Sequence, residues 1–392
     1  MSTLFGLPEK VEFCKSCVIS NQRPNSSVEY DHTAQSKKST IHFEKGICDA
    51  CRTAKAKAKT DWAEREVELR NLCDLHRSRG AYDCIVPGSG GKDSFYAAHV
   101  LKAKYGMHPL LITWAPHIYT DWGWRNLVRW QALSNHVLYT PARDVHRLIT
   151  RLSLENLLHP FQPFIIGQKS LAPKLAALYK IPLVFYGENE AEYGNPIGDN
   201  GSAKRSKAYF TSHRINLGGV SSDELRHKYN LTDSDLDPYM PADPSSLENV
   251  EVHYLGYYLK WKPQDCYFYS VEHGGFEAAP ERTPGTYSKY SSIDDKMDDL
   301  HYLTTYIKFG IGRATYDAAQ EIRSGDITRE EGVALVRKFD GEFPTRFIEE
   351  LFDYLSVPQF PKMTLDYFMD LADRFRSDHL WDGKRLRHVV TD

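Results

Sequence analysis

The tract Ser89-Gly90-Gly91-Lys92-Asp93-Ser94 constrains this chain more than any other. An apolar, strand-like run, Tyr82-Asp83-Cys84-Ile85-Val86, leads into it, and a helix-like run from Phe95 to Tyr105 follows. A glycine turn between strand and helix is a phosphate-binding arrangement. Two glycines let the backbone bend so that consecutive N–H groups face one anion, and the helix N-terminus adds partial positive charge. Ser89 and Ser94 offer hydroxyl donors, and Lys92 offers a point charge. Asp93 would repel a phosphate, so its presence implies a bridging Mg²⁺. The spacing is not that of a Walker A loop. The plain alternative is a glycine turn that merely joins strand to helix.

Strand and helix signals alternate from Ala81 onward. Strands are expected at Tyr82–Pro87, Pro109–Trp114, His136–Thr140, Pro182–Tyr186 and Val252–Leu259. Helices are expected at Ser94–Tyr105, Trp122–Ser134, Arg143–Leu158 and Ile166–Tyr179. This alternation predicts an α/β fold with a doubly wound, mostly parallel sheet covered on both faces. Ligands of such sheets bind at the carboxyl ends of the strands. That rim holds Ser89, Thr113 and the segment Gly187-Glu188-Asn189-Glu190. Thr113 is therefore a candidate nucleotide contact. Glu188 is the candidate for a substrate or metal contact, although no acid–base residue stands out.

Two Cys-x-x-Cys pairs, Cys14/Cys17 and Cys48/Cys51, precede the sheet, with residues 18–47 between them. Two such knuckles can surround one Zn²⁺ with thiolates, a closed and therefore structural site. Free thiols, a redox pair and an iron–sulfur cluster are the alternatives. His32 and His42 could replace a thiolate but read as solvated. Cys73, Cys84 and Cys266 are isolated, and Cys84 reads as a buried apolar thiol. Apolar residues at helical spacing between 52 and 79 suggest one amphipathic helix linking this module to the sheet.

Three parts follow: a zinc module over 1–60, a nucleotide-binding domain over 61–265, and a helical region over 266–392. Residues 190–250 form an insertion rich in Gly, Asn and Pro, either placed to cover substrate or a disordered insertion with no role. Ile293 to Phe309 reads as a helix whose first turns carry Asp294, Asp295, Asp298 and Asp299. These acids either complement the helix dipole or serve a metal or ammonia. Lys308-Phe309-Gly310-Ile311-Gly312-Arg313 follows, and its two cations are candidate phosphate or substrate contacts. Thr328 or Asp326 is placed to cap a helix beginning at Arg329.

The 392 residues carry a net charge of −3, which argues against a nucleic-acid partner. No run of about 18 apolar residues exists to span a membrane. The first residues lack the basic-then-apolar pattern of a secretory signal, and a cytoplasmic location is expected.

The glycine tract resembles the PP-loop of the ATP pyrophosphatases, which split ATP between the α and β phosphates. The whole chain resembles the N-acetyl sugar amidotransferase family, PP-loop enzymes of bacterial surface-polysaccharide (lipopolysaccharide O-antigen) biosynthesis. The resemblance rests on the paired cysteines, the Ser89–Ser94 loop and Gly187-Glu188-Asn189. It also rests on Ile293–Asp298, Lys308–Arg313 and Glu321–Glu331. It implies conversion of an acetamido group on a nucleotide-activated sugar, UDP-linked, into an acetamidino group. ATP, Mg²⁺ and ammonia would be consumed or required, with Zn²⁺ structural. It further implies that a separate glutaminase subunit supplies the ammonia. Catalytic roles then fall to Lys92, Asp93 and Glu188. ATP contacts fall to Ser89, Gly90, Gly91, Asp93, Ser94, Thr113, Lys308 and Arg313. A PP-loop tRNA thiolase and a non-catalytic, zinc-containing nucleotide-binding subunit are the competing readings.

Overall fold

The computed structural model describes residues 3–24, 40–77, 80–187, 202–211 and 216–391. A small antiparallel hairpin, β1 (Phe43–Glu44) and β2 (Ile47–Cys48), closes the N-terminal cysteine segment. Five strands then form one sheet: β3 (Cys84–Pro87), β4 (Pro109–Trp114), β5 (His136–Tyr139), β6 (Leu183–Tyr186) and β7 (Glu251–Tyr254). All adjacent pairs are parallel, in the order β5-β4-β3-β6-β7. Helices Lys92–Ala103, Asp121–Gln131, Arg143–Leu157 and Gln162–Tyr179 connect the strands. The chain order runs outward from β3 to β5 and then returns beside β3 with β6. β3 and β6 therefore flank the topological switch point, where open α/β sheets hold ligands.

Strands β3 and β4 are buried along their whole length, as expected for a sheet covered on both faces. Two apolar clusters result. One contains Val86, Phe95, Leu111, Trp130 and Phe185. The other contains Ile85, Ile112, Trp114 and Ile166 and continues into the cysteine segment and the C-terminal helices.

The structure differs from the sequence reading in several places. The expected helix over 52–79 is two, Asp49–Lys57 and Trp62–His76. Asp61 causes the break. Its carboxylate accepts from the N–H groups of Ala63 and Glu64, at 3.0 and 3.1 Å, and so starts a new helix. The last strand stops at Tyr254, and Leu255–Tyr258 forms a single helical turn tied to the β6 end by Gly256 N–H to Gly187 O. The acidic helix begins at Met297 rather than Ile293, and Asp295 just before it accepts from Met297 N–H at 3.0 Å. Thr328 caps helix Arg329–Phe339 in a full capping box with Glu331. The described part of the 190–250 insertion contributes side chains to the core, with Leu225, Leu236 and Tyr239 buried. Residues 188–201 and 212–215 of that stretch lie outside the described residues.

The cysteine segment docks on the C-terminal helices. Arg329 donates to the carbonyls of Cys17 and Cys14, at 3.3 and 3.4 Å. Gln22 Oε1 meets His379 Nε2 at 3.0 Å.

Candidate active site and metal centre

The loop after β3 is shaped by its glycines. Gly90 has φ +83°, a left-handed conformation open to glycine. A Cβ there would lie 2.7 Å from the Leu127 backbone, so the loop presses on helix Asp121–Gln131. Gly91 differs: its φ is ordinary, and a Cβ would meet nothing nearer than Ser89 Oγ at 3.7 Å. Gly91 faces a cavity of about 630 Å³.

Ser89, Gly91, Lys92 and Asp93 line this cavity, and so do Asp294, Lys308 and Arg313. The fold thus brings one side of the Ser89–Ser94 tract together with two cations from more than 200 residues downstream in the sequence. Lys92 and Asp93 form an ion pair, while Asp93 Oδ1 is buried without a hydrogen-bond partner among the described residues. An orphaned buried carboxylate oxygen fits a divalent cation. Asp294 hydrogen-bonds Ser89, and burial pushes its carboxyl pKa up against that bond.

The remaining predicted contacts stand elsewhere. Ser94 turns its hydroxyl to Gly91 O at 3.0 Å. Thr113 is buried beneath the loop and donates to Gly88 O at 2.6 Å. Neither lines the cavity. Glu188 lies outside the described residues, but the preceding Gly187 is close to Asp93 O, 3.8 Å from a Cβ built there.

The four acids at Asp294–Asp299 divide by role. Asp295 accepts from His117 N–H and lies 2.7 Å from His117 Nδ1. Asp299 takes both arms of Arg346 at 2.7 Å each. Asp298 is buried, and burial pushes its pKa well above the usual carboxylate range. Of the four, Asp294 faces the cavity.

Arg313 opens helix Arg313–Ser324. Its Nη1 donates to Tyr302 OH at 2.7 Å, and its Nε pairs with Asp317 at 2.9 Å. Lys308 is buried, its ammonium over the rings of Phe309 and Phe5 at 5.0 and 5.7 Å. The same cavity is lined by Tyr290, Tyr302 and Glu321, where Glu321 accepts from Tyr287 OH at 2.7 Å. Sequence reasoning missed these residues, as it missed Arg23. They lie in irregular or helical segments where an aromatic or charged residue reads as core or solvated surface.

The four paired cysteines converge. All are buried, and their sulfurs lie within 4.8 Å of one another. Cys14 to Cys51 is 3.9 Å, and Cys17 to Cys48 is 3.8 Å, with no disulfide. Thiolates about 2.3 Å from one Zn²⁺ would sit about 3.8 Å apart along a tetrahedral edge. The donor set fits a closed structural metal site.

Residues 284–391 match the family model for the LPS biosynthesis protein WbpG-like, C-terminal domain. An uncharacterized protein of Methanocaldococcus jannaschii, MJ1599, is 38% identical over 82 residues, spanning 21% of this chain and 29% of that protein. Among solved structures, NMN synthetase from Francisella tularensis is similar at 11% identity and a TM-score of 0.28, over 78% of this chain and 100% of that one. At that TM-score the α/β assignment rests on the sheet itself. The matched C-terminal segment, which is similar to the WbpG-like C-terminal domain of lipopolysaccharide biosynthesis proteins, supplies Asp294, Lys308 and Arg313 to the cavity that the Ser89 loop opens into.

Proposed function

We propose that this chain is an ATP-dependent amidotransferase that converts an acetamido group on a UDP-linked N-acetyl sugar into an acetamidino group. One observation carries the reading: the phosphate-loop residues Ser89, Gly91 and Asp93 share a cavity with Asp294, Lys308 and Arg313 of the WbpG-like segment.

The acetamide oxygen is a poor leaving group and must be activated. In the proposed reaction it attacks the α-phosphorus of ATP, forming an O–P bond as the bond to pyrophosphate breaks. Ammonia then adds to the imidate carbon, the C–O bond breaks, AMP departs with the oxygen, and the amidine remains. The residues contribute by position and charge. The exposed N–H groups at the Gly91 end of helix Lys92–Ala103 would hold the pyrophosphate oxygens. Asp93 and Asp294 would hold Mg²⁺, which supplies charge neutralisation on the phosphates. Lys92, locked to Asp93 and with its carbonyl accepting from Ser270 Oγ at 2.8 Å, would add positive charge at a fixed place.

Ammonia would come from a separate glutaminase subunit. All seven cysteines of this chain are buried. Burial pushes the Cys73 thiol up to about 12 and the Cys84 thiol well above its ordinary value. Neither is an activated nucleophile of the kind glutamine hydrolysis, or a persulfide-based thiolation, requires. In the test, the purified chain is incubated with ATP, Mg²⁺, ammonium and UDP-linked N-acetyl sugars. AMP, pyrophosphate and a sugar in which NH replaces oxygen are expected. AMP formation that depends on tRNA instead of sugar would reject the reading.

A further inference from the structure

We propose that Arg23, carried by the cysteine segment, forms a second anion subsite of the same cavity together with Arg323. In this proposal the subsite takes the diphosphate of a nucleoside-diphosphate acceptor and is separate from the Ser89 loop. The proposal rests on the amidotransferase reading for the acceptor's identity and on the following geometry for the site.

Arg23 lines the cavity, and so do Ile19 and Ile41 on either side of it in the cysteine segment. Only 6% of Arg23 is exposed, and its Nη1 has no hydrogen-bond partner among the described residues. A buried guanidinium group with an unused donor is costly unless an anion completes it. Its backbone is fixed: its N–H donates to Ser20 O at 3.3 Å, and its carbonyl accepts from Ile41 N–H at 2.9 Å. The guanidinium sits over the Tyr316 ring at 5.4 Å, on helix Arg313–Ser324. Arg323, from the same helix, also lines the cavity and is near enough to repel Arg23. Two other basic groups of the wall differ: Lys92 is paired with Asp93, and Arg313 with Asp317. Two planar forks with like charge, that of Arg23 over a tyrosine ring, suit a diphosphate. The cysteine cluster then gains a role beyond local stability. Cys17 and Cys14 are held by Arg329 at their carbonyls, and this clasp fixes the segment that presents Arg23 to the C-terminal wall.

The experiment titrates UDP into the full chain, into Arg23→Gln and into Arg323→Gln, each with and without α,β-methylene-ATP. Circular dichroism and metal content check folding. The wild type should bind UDP and the ATP analogue together. Each variant should weaken UDP by about tenfold or more, the scale of one lost charge-assisted contact, and leave the analogue's affinity unchanged. Gly91→Val should do the reverse. Absence of UDP binding to the wild type, unchanged UDP affinity in both variants, or competition between UDP and the analogue would overturn the subsite. Inorganic pyrophosphate outcompeting UDP there would overturn its assignment to the acceptor. If UDP binds as expected but no sugar supports turnover, the reaction fails and the subsite stands.

Discussion

Thr113 Oγ1 donates to the carbonyl of Gly88 at 2.6 Å, and His136 Nε2 lies 2.8 Å from the same hydroxyl. The single hydroxyl proton goes to Gly88, so His136 must donate at Nε2. Its Nδ1 then accepts from Gln131 Nε2 at 2.9 Å. Burial lowers the His136 pKa and keeps this neutral tautomer. A strand, a helix end and a neighbouring strand thus support the base of the Ser89 loop.

Thr113→Val removes the donor to Gly88 and the acceptor for His136 while keeping the shape. Two buried polar groups lose partners, at about 1–3 kcal/mol each at most. Chemical denaturation should show lower stability, and KM for ATP should rise. Thr113→Ser should restore both. An unchanged KM in the valine variant would remove Thr113 from loop positioning.

Gly90→Ala and Gly91→Val should separate folding from binding. At Gly90 the left-handed φ and the 2.7 Å approach to the Leu127 backbone both oppose a side chain. Its melting temperature should fall. At Gly91 the backbone accepts any residue, but the side chain enters the cavity. That variant should melt near wild type and lose ATP binding. Equal thermal effects in the two would contradict the placement of Gly91 on the cavity side.

Asp93→Ala should leave the fold intact and lower turnover by about a hundredfold or more, the scale of removing one electrostatic stabiliser. Calorimetry with Mg²⁺ and ATP should show the metal dependence of binding lost in parallel. Full activity would exclude a metal role for Asp93.

Freshly purified reduced protein should contain one Zn²⁺ per chain, with Zn–S distances of about 2.3 Å by X-ray absorption. Cys48→Ser or a strong chelator should release the metal and lower the melting temperature. Much less than one zinc per chain, or another metal at full occupancy, would contradict the assignment.

The sheet was legible in the sequence because each strand is a short apolar run bounded by turn residues. Pro109–Trp114 matches to the residue. The cysteine cluster was legible from spacing. Two things were not. Asp61 acts as a cap, and a cap inside a long polar-apolar pattern is invisible until the chain turns there. The cavity wall made by Arg23, Tyr302 and Glu321 depends on docking between segments far apart in sequence, which no local pattern encodes. Ser94 and Thr113, candidate ligand contacts from a motif and a strand end, donate to the loop's own carbonyls at Gly91 and Gly88.

The central claim is that the acetamide oxygen leaves on AMP. The direct measurement uses a UDP-linked N-acetyl sugar carrying a heavy oxygen isotope in its acetamido group, with ATP, Mg²⁺, ammonium and the purified chain. Mass spectrometry of the products should place the label in AMP and none in pyrophosphate. Label retained in the sugar while AMP forms, or label in pyrophosphate or released into water, would contradict it.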